Sequence, residues 1–143
     1  MSQSEQNKAI ARNFLEGAWN RRDMSVVNEL IAPNHVPHGP YTDQFPQGAE
    51  GTQAFVSAFL LAFPDTKATI QKQEDVGDRV KTTLTFKGTH TGTLMTIPAT
   101  GKQVTVPVIV TDKIVNGKIV ETWSEWDAME MMNQLGVKQT SNN

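Results

Sequence analysis

Apolar positions recur along the first third of the chain at helical spacing. Between about Ser4 and Trp19 they fall at Ala9, Ile10, Phe14, Leu15, Ala18 and Trp19, a wide stripe that predicts an amphipathic helix. Asp23 is placed to cap a shorter helix carrying Val26, Val27, Leu30 and Ile31, which Pro33 ends. The stretch from Asn34 to Gly48 is rich in Pro, Gly and His and reads as loop. A third helix, about Ala49 to Phe63, presents Phe55, Val56, Phe59, Leu60 and Phe63 before Pro64 stops it.

The second half alternates with period two. Thr66 to Val76 predicts a strand, Gly77-Asp78 a turn, and Arg79 to Thr93 a long strand rich in Thr and Val. On that strand Val80, Thr82, Leu84, Phe86, Gly88 and His90 share the face expected to meet the core. A connection through Ile97-Pro98-Ala99-Thr100-Gly101 leads to a strand from Val104 to Val115. The dipeptide Asn116-Gly117 is a strong hairpin signal, and a strand from Lys118 to about Trp126 follows it. A last helix starts near Asp127, carries Met129, Met132 and Leu135, and ends at Gly136. Three helices, four strands and a short helix make an α+β domain in which a curved antiparallel sheet wraps over the N-terminal helices.

Length and composition narrow what such a domain does. The 143 residues suit one domain, 1–143, with flexible ends expected at about 1–3 and 138–143. Thirteen Lys plus Arg against fifteen Asp plus Glu give a net charge of −2 with no basic block, so no nucleic-acid partner is expected. The chain has no cysteine, which excludes disulfides, thiolate catalysis and Cys-based metal sites. The N-terminus lacks the apolar core of a signal peptide, and no apolar run approaches the ~20 residues that span a bilayer. A cytoplasmic protein without a membrane partner is the expectation.

Four stretches carry a family resemblance: Gly88-Thr89-His90-Thr91-Gly92, Ile97-Pro98-Ala99-Thr100-Gly101-Lys102, Asn116-Gly117-Lys118-Ile119-Val120-Glu121-Thr122-Trp123 and Gln134-Leu135-Gly136. In this order and spacing the chain resembles the SnoaL-like polyketide cyclase family of the nuclear transport factor 2-like (cystatin-like) superfamily, over nearly its whole length. The resemblance implies a cone-shaped fold enclosing a small-molecule cavity, and a homodimer formed through the outer face of the sheet. Aldol-cyclising members use an aspartate on the last strand and a facing histidine on the strand before it. Aligned on the Asn116-Gly117-Lys118 turn, those positions fall on Ser124 and Val110, and neither side chain can serve as a base near neutral pH.

Other residues therefore have to supply any chemistry. His90, on the face of Leu84 and Phe86, is either a cavity donor or a histidine bonded for structure alone. His38 lies in the loop where the family often has a histidine, and either lines the cavity or sits at the surface; His35 is the weaker candidate of the two. Asp112 continues the inward face of Val104, Val106, Val108 and Val110, so it is either a buried base or a solvated acid at the rim. Parity separates Thr122, Ser124 and Trp126 from Glu121, Trp123, Glu125 and Asp127, and the resemblance implies that the first set faces inward; Trp123 and Trp126 then take opposite faces, with Trp123 also a candidate for ligand contact. Trp19, Phe55, Phe59 and Phe63 are core or cavity wall, and Met95 a lid. Asp127 is either a displaced catalytic acid or, with Glu130, the start of a helix-capping sequence. No compact ligand motif makes the histidines a metal site.

These readings converge on a pocket for a small, mostly apolar, oxygen-bearing organic molecule. Asp112 and His90 are the catalytic candidates, as base and oxyanion donor, and His38, Ser124, Phe59, Trp123 and Val110 the ligand contacts. The chemistry expected is that of a cofactor-independent cyclase, isomerase or hydrolase; the alternative is a non-catalytic binding or interaction domain of the same fold. Epoxide hydrolysis would call for an arginine that the inward faces lack.

Overall fold

The computed structural model describes residues 2–137. Helix α1, Gln3–Leu15, opens on a capping box: the Ser2 hydroxyl accepts from the Glu5 amide, and the Glu5 carboxylate accepts from that of Ser2. Gln3 thus already belongs to the helix, and of the ends expected to be flexible, 138–143 lies outside the described residues. The helix runs on into a π-helical turn, Glu16–Asn20. Asp23 holds the start of α2, Ser25–Leu30, accepting from the Ser25 amide at 3.0 Å and its hydroxyl at 2.6 Å.

The stretch expected to be loop holds a strand instead. β1, Ile31–His38, leaves α2 directly and pairs in parallel with the last strand, so the sheet has five strands and is mixed rather than purely antiparallel. Pro33 and Pro37 can be accommodated because β1 is an edge strand, where a missing N–H disrupts no ladder on the open side. Helix α3, Ala49–Ala62, is followed by β2, Lys67–Asp75, β3, Arg79–Thr89, β4, Gln103–Val115, β5, Lys118–Glu125, and helix α4, Ala128–Leu135. The sheet order is β1-β5-β4-β3-β2, antiparallel everywhere except at β1.

Local chemistry fixes the joints. Asn116 and Gly117 both take positive φ, 51° and 77°, as a two-residue type I′ hairpin requires. Asp127 caps α4 by accepting from the Glu130 amide at 3.0 Å, and Gly136 ends it in the left-handed region at φ 76°. β3 stops at Thr89, earlier than the expected Thr93, because the Thr91 and Gly92 amides turn to the Ala62 carbonyl at the end of α3.

Two clusters make the core. One joins Ala11, Phe14 and Leu15 of α1 to Val27, Val56, Val80, Leu84, Ile114 and Ile119. The other joins Phe59 and Phe63 to Leu94, Val104, Val106, Met131, Met132 and Leu135. Burying each such Leu, Ile or Phe contributes roughly 1.5–3 kcal/mol. Residues of both clusters border one pocket.

Candidate functional site

The pocket has a volume of about 130 Å³ and lies between the inner face of the sheet and the helices. Phe14, Phe55, Phe59, Phe86, Val108 and Trp126 contribute to a wall that is almost wholly apolar. Phe55 stacks on Phe59 with ring centres 4.8 Å apart, and Trp126 meets Phe59 edge-on at 6.2 Å. Against this wall stand a few polar side chains, and four of them form one hydrogen-bonded chain.

Asp112 enters from β4 at the position opposite Thr122 of β5, and the Thr122 hydroxyl donates to its Oδ1 at 2.7 Å. His35 enters from β1, with Nε2 2.8 Å from the Thr122 hydroxyl and Nδ1 2.8 Å from the hydroxyl of Thr52 on α3. Thr122 has one hydroxyl proton and directs it to the carboxylate, so its oxygen accepts from His35 and the proton of a neutral imidazole sits on Nε2. Nδ1 then accepts from Thr52. Each group along Thr52, His35, Thr122 and Asp112 Oδ1 has a partner. Asp112 Oδ2, equally buried, has none among the described residues.

Burial sets the charges. It pushes the Asp112 carboxyl up from its ordinary 3.8 to about 7, against the smaller opposing effect of the Thr122 hydrogen bond. No cation stands within ion-pair distance of Asp112 among the described residues. Burial likewise pushes His35 down from 6.5 to about 4, with Glu121 raising and His38 lowering it by less. At neutral pH the site therefore combines an uncharged imidazole with a carboxyl close to half-ionised, the condition in which an acid–base group works best.

Asp112, Val110, Ser124 and Phe59 of the expected site residues border the pocket. Val110 and Ser124 face each other directly across the β4–β5 ladder. The other three expected residues are corrected. His90 is fully buried, but its Nδ1 accepts from the Thr100 amide at 3.2 Å and its ring lies against Phe63, outside the pocket wall. Alternation does turn it inward, since Phe63 meets both Phe86 and His90 and the His90 backbone still bonds Lys102 and Gly101 just before β4, but Phe63 fills that end of the inner face and the pocket does not reach it. Its Nε2 has no partner among the described residues, and burial lowers its affinity for protons. His38 has a half-exposed side chain, bonds Glu121 at 2.6 Å and stacks on Trp123. Trp123 itself lies on the outer face under the Arg79 guanidinium, because parity on β5 turns Thr122 and Ser124 inward.

His35 was the residue undervalued. Treated as loop, its surroundings give no face; read as an edge strand, Ile31, His35 and Pro37 are the β1 side chains that border the pocket. Thr52 was missed because one polar position on a largely apolar helix gives no signal by itself. No group of three or more metal-ligating side chains occurs among the described residues, and no described helix is long and apolar enough to cross a membrane.

A sequence model of the SnoaL-like polyketide cyclases matches residues 9–135. The chain belongs to this family. Its fold is shared with solved structures that include TsrD from Streptomyces laurentii, 24% identical with a TM-score of 0.84 over 96% of this chain and 100% of that one. IdmH from Streptomyces antibioticus, a proposed polyketide cyclase, is 33% identical with a TM-score of 0.74, over 95% of this chain and 100% of its own. A proposed polyketide cyclase from Acidithiobacillus ferrooxidans is 26% identical with a TM-score of 0.81, over 95% of this chain and 98% of that one. No curated protein sequence matches the chain. Membership in the family supports a ligand-binding or cyclase role for the pocket.

Proposed function

We propose that the pocket binds a small, mostly apolar organic molecule bearing a carbonyl group, and that Asp112 is its acid–base residue. The observation carrying this reading is a carboxyl in an apolar cavity with Oδ1 held by Thr122 and Oδ2 free. In the reaction we infer, Oδ2 takes a proton from carbon next to the carbonyl, the C–H bond breaks, and its electron pair moves into an enolate. Ser124 and Trp126 border the same space, and we assign their hydroxyl and indole N–H as donors to the enolate oxygen, the role that the sequence suggests for His90. Returning the proton to a different atom isomerises the ligand. Attack of the enolate carbon on a second carbonyl, with the proton passing to the new alkoxide, cyclises it. A histidine and an aspartate at positions 110 and 124 are not needed for either course.

The test is deuterium uptake, followed by NMR, into a panel of cyclic β-keto esters incubated with the protein in D2O. Uptake above the uncatalysed rate, lowered roughly 10²–10⁴-fold by Asp112→Asn with binding retained in calorimetry, supports the proposal. The replaced pair at Val110 and Ser124 favours the second reading, a non-catalytic binding domain. That reading predicts binding without catalysed uptake in either protein.

A further inference from the structure

The chain of hydrogen bonds behind Asp112 has a property that a mere scaffold would not need. Every member can reverse its direction. With Asp112 ionised, Thr52 donates to Nδ1 of His35, Nε2–H donates to Thr122, and Thr122 donates to Oδ1. With a proton on Oδ1, that oxygen donates to Thr122, Thr122 donates to a bare Nε2, and Nδ1–H donates to Thr52. Both states satisfy all four groups, and they differ by one proton and by which ring nitrogen carries hydrogen.

We propose that His35 is the centre of a proton relay, Thr52–His35–Thr122–Asp112, which couples protonation of Asp112 at Oδ1 to the tautomer of the imidazole. The proposal deepens the acid–base reading of Asp112 and rests on it. Protonating the carboxyl through the relay breaks the Thr52 O–H, His35 Nε2–H and Thr122 O–H bonds. It forms Nδ1–H, a new hydroxyl O–H on Thr122 and Oδ1–H, and the hydroxyl of Thr52 is restored from solvent. One proton enters at Thr52 and one arrives at Asp112. Thr52 is only half-buried, whereas His35 and Asp112 are both 2% exposed, so the relay runs from the better-hydrated end to the buried one. Oδ2 meanwhile has no hydrogen-bond partner among the described residues. Rotation of the protonated carboxyl about its Cβ–Cγ bond exchanges the two oxygens, so a proton taken from the ligand can leave through the protein while the pocket stays filled.

The surroundings leave this coupling unobstructed. Next to Asp112 across the sheet stand Val80 on β3 and Thr122 on β5, neither of them titratable. The helices bring Phe14 and Leu15 from α1, Thr52, Phe55 and Val56 from α3, and Met131 from α4 to the pocket. Glu121 on β5 and His38 on β1 act on His35 electrostatically, in opposite directions. The imidazole stays uncharged well below neutrality, so a change at its nitrogens near pH 7 reports tautomer and not charge.

The experiment is 15N NMR of the His35 ring nitrogens from pH 5 to 9, alongside 13C NMR of the Asp112 carboxyl. The expected result is that, as the carboxyl gains its proton on the way down in pH, Nε2 changes from the protonated to the bare type and Nδ1 does the reverse, with one shared midpoint. Thr122→Val should leave the carboxyl titrating and the tautomer fixed, and Thr122→Ser should restore the coupling. A carboxyl that titrates beside a wild-type tautomer that does not move overturns the relay and spares the acid–base reading. A carboxyl that stays ionised across the whole range overturns both.

Discussion

Replacing Asp112 by Asn should change the protein's stability by an amount that grows more favourable to the variant as pH rises, in a specified way. Burial holds the Asp112 carboxyl near 7 in the folded chain against 3.8 in an unfolded one. Below 3.8 both states carry the proton and the group is neutral for stability. Between 3.8 and about 7 the unfolded chain has lost its proton and the folded one has kept it, so stability falls as pH rises, by about 1.36 kcal/mol per unit. Over roughly three units the loss reaches about 4 kcal/mol, and it stays constant above pH 7. His35 has the opposite dependence. Its folded value is near 4 against 6.5 unfolded, so its contribution is complete above 6.5 and is lost as pH falls towards 4, by about 3 kcal/mol. In the wild type the two slopes nearly cancel between pH 4 and 6.5. Asp112→Asn keeps an acceptor for Thr122 and removes one slope. Urea unfolding at half-unit steps from pH 4 to 8 should therefore show the variant gaining on the wild type by about 4 kcal/mol across the series, whatever fixed offset the amide introduces. A difference independent of pH would refute the buried, unpaired carboxyl on which the site depends.

Two further outcomes follow from local geometry. At Gly51 an added Cβ would lie 1.4 Å from the Pro46 carbonyl oxygen, so Gly51→Ala must displace backbone beside the pocket; a loss of about 3 kcal/mol or more is expected, seen as a drop in Tm on the order of 10 °C. Asp127 caps α4, so Asp127→Ala should lower stability by about 1 kcal/mol in urea titrations while leaving deuterium uptake by bound ketones unchanged.

How much of this was legible in the sequence varied with the regularity of the signal. β3 and β4 alternate cleanly, so the face that Asp112 shares with Val110 is legible in the residues, and Asn116-Gly117 marks the β4–β5 turn. The opposition of Val110 to Ser124 is not legible from that turn, because a regular two-residue hairpin pairs Val110 with Trp123 and a bulge between Lys113 and Ile114 shifts its partner to Ser124. β1 is not legible either. Two prolines in eight residues suppress every strand propensity, and only the edge position and a parallel partner far along the chain make the conformation acceptable. Hiding β1 also hid His35, whose two hydrogen bonds both reach other elements. His90 keeps the inward face that alternation gives it; what the sequence does not show is that Phe63 fills that end of the sheet, which leaves the imidazole bonded within the core rather than at the pocket.

That remote pairing bears on the order in which the site is built. Asp112 and Thr122 are 10 residues apart across a tight hairpin, whereas His35 and Thr122 are separated by 87. Closing the longer loop costs about 2 kcal/mol more in chain entropy before any contact rewards it. The carboxyl and its hydroxyl donor thus belong to a locally formed β-hairpin, while the imidazole arrives only when the edge strand docks. Mutations that loosen β1 should leave a compact protein with Asp112 already sequestered and no histidine behind it, a species distinguishable from the native state in refolding by the late appearance of the His35 ring signals.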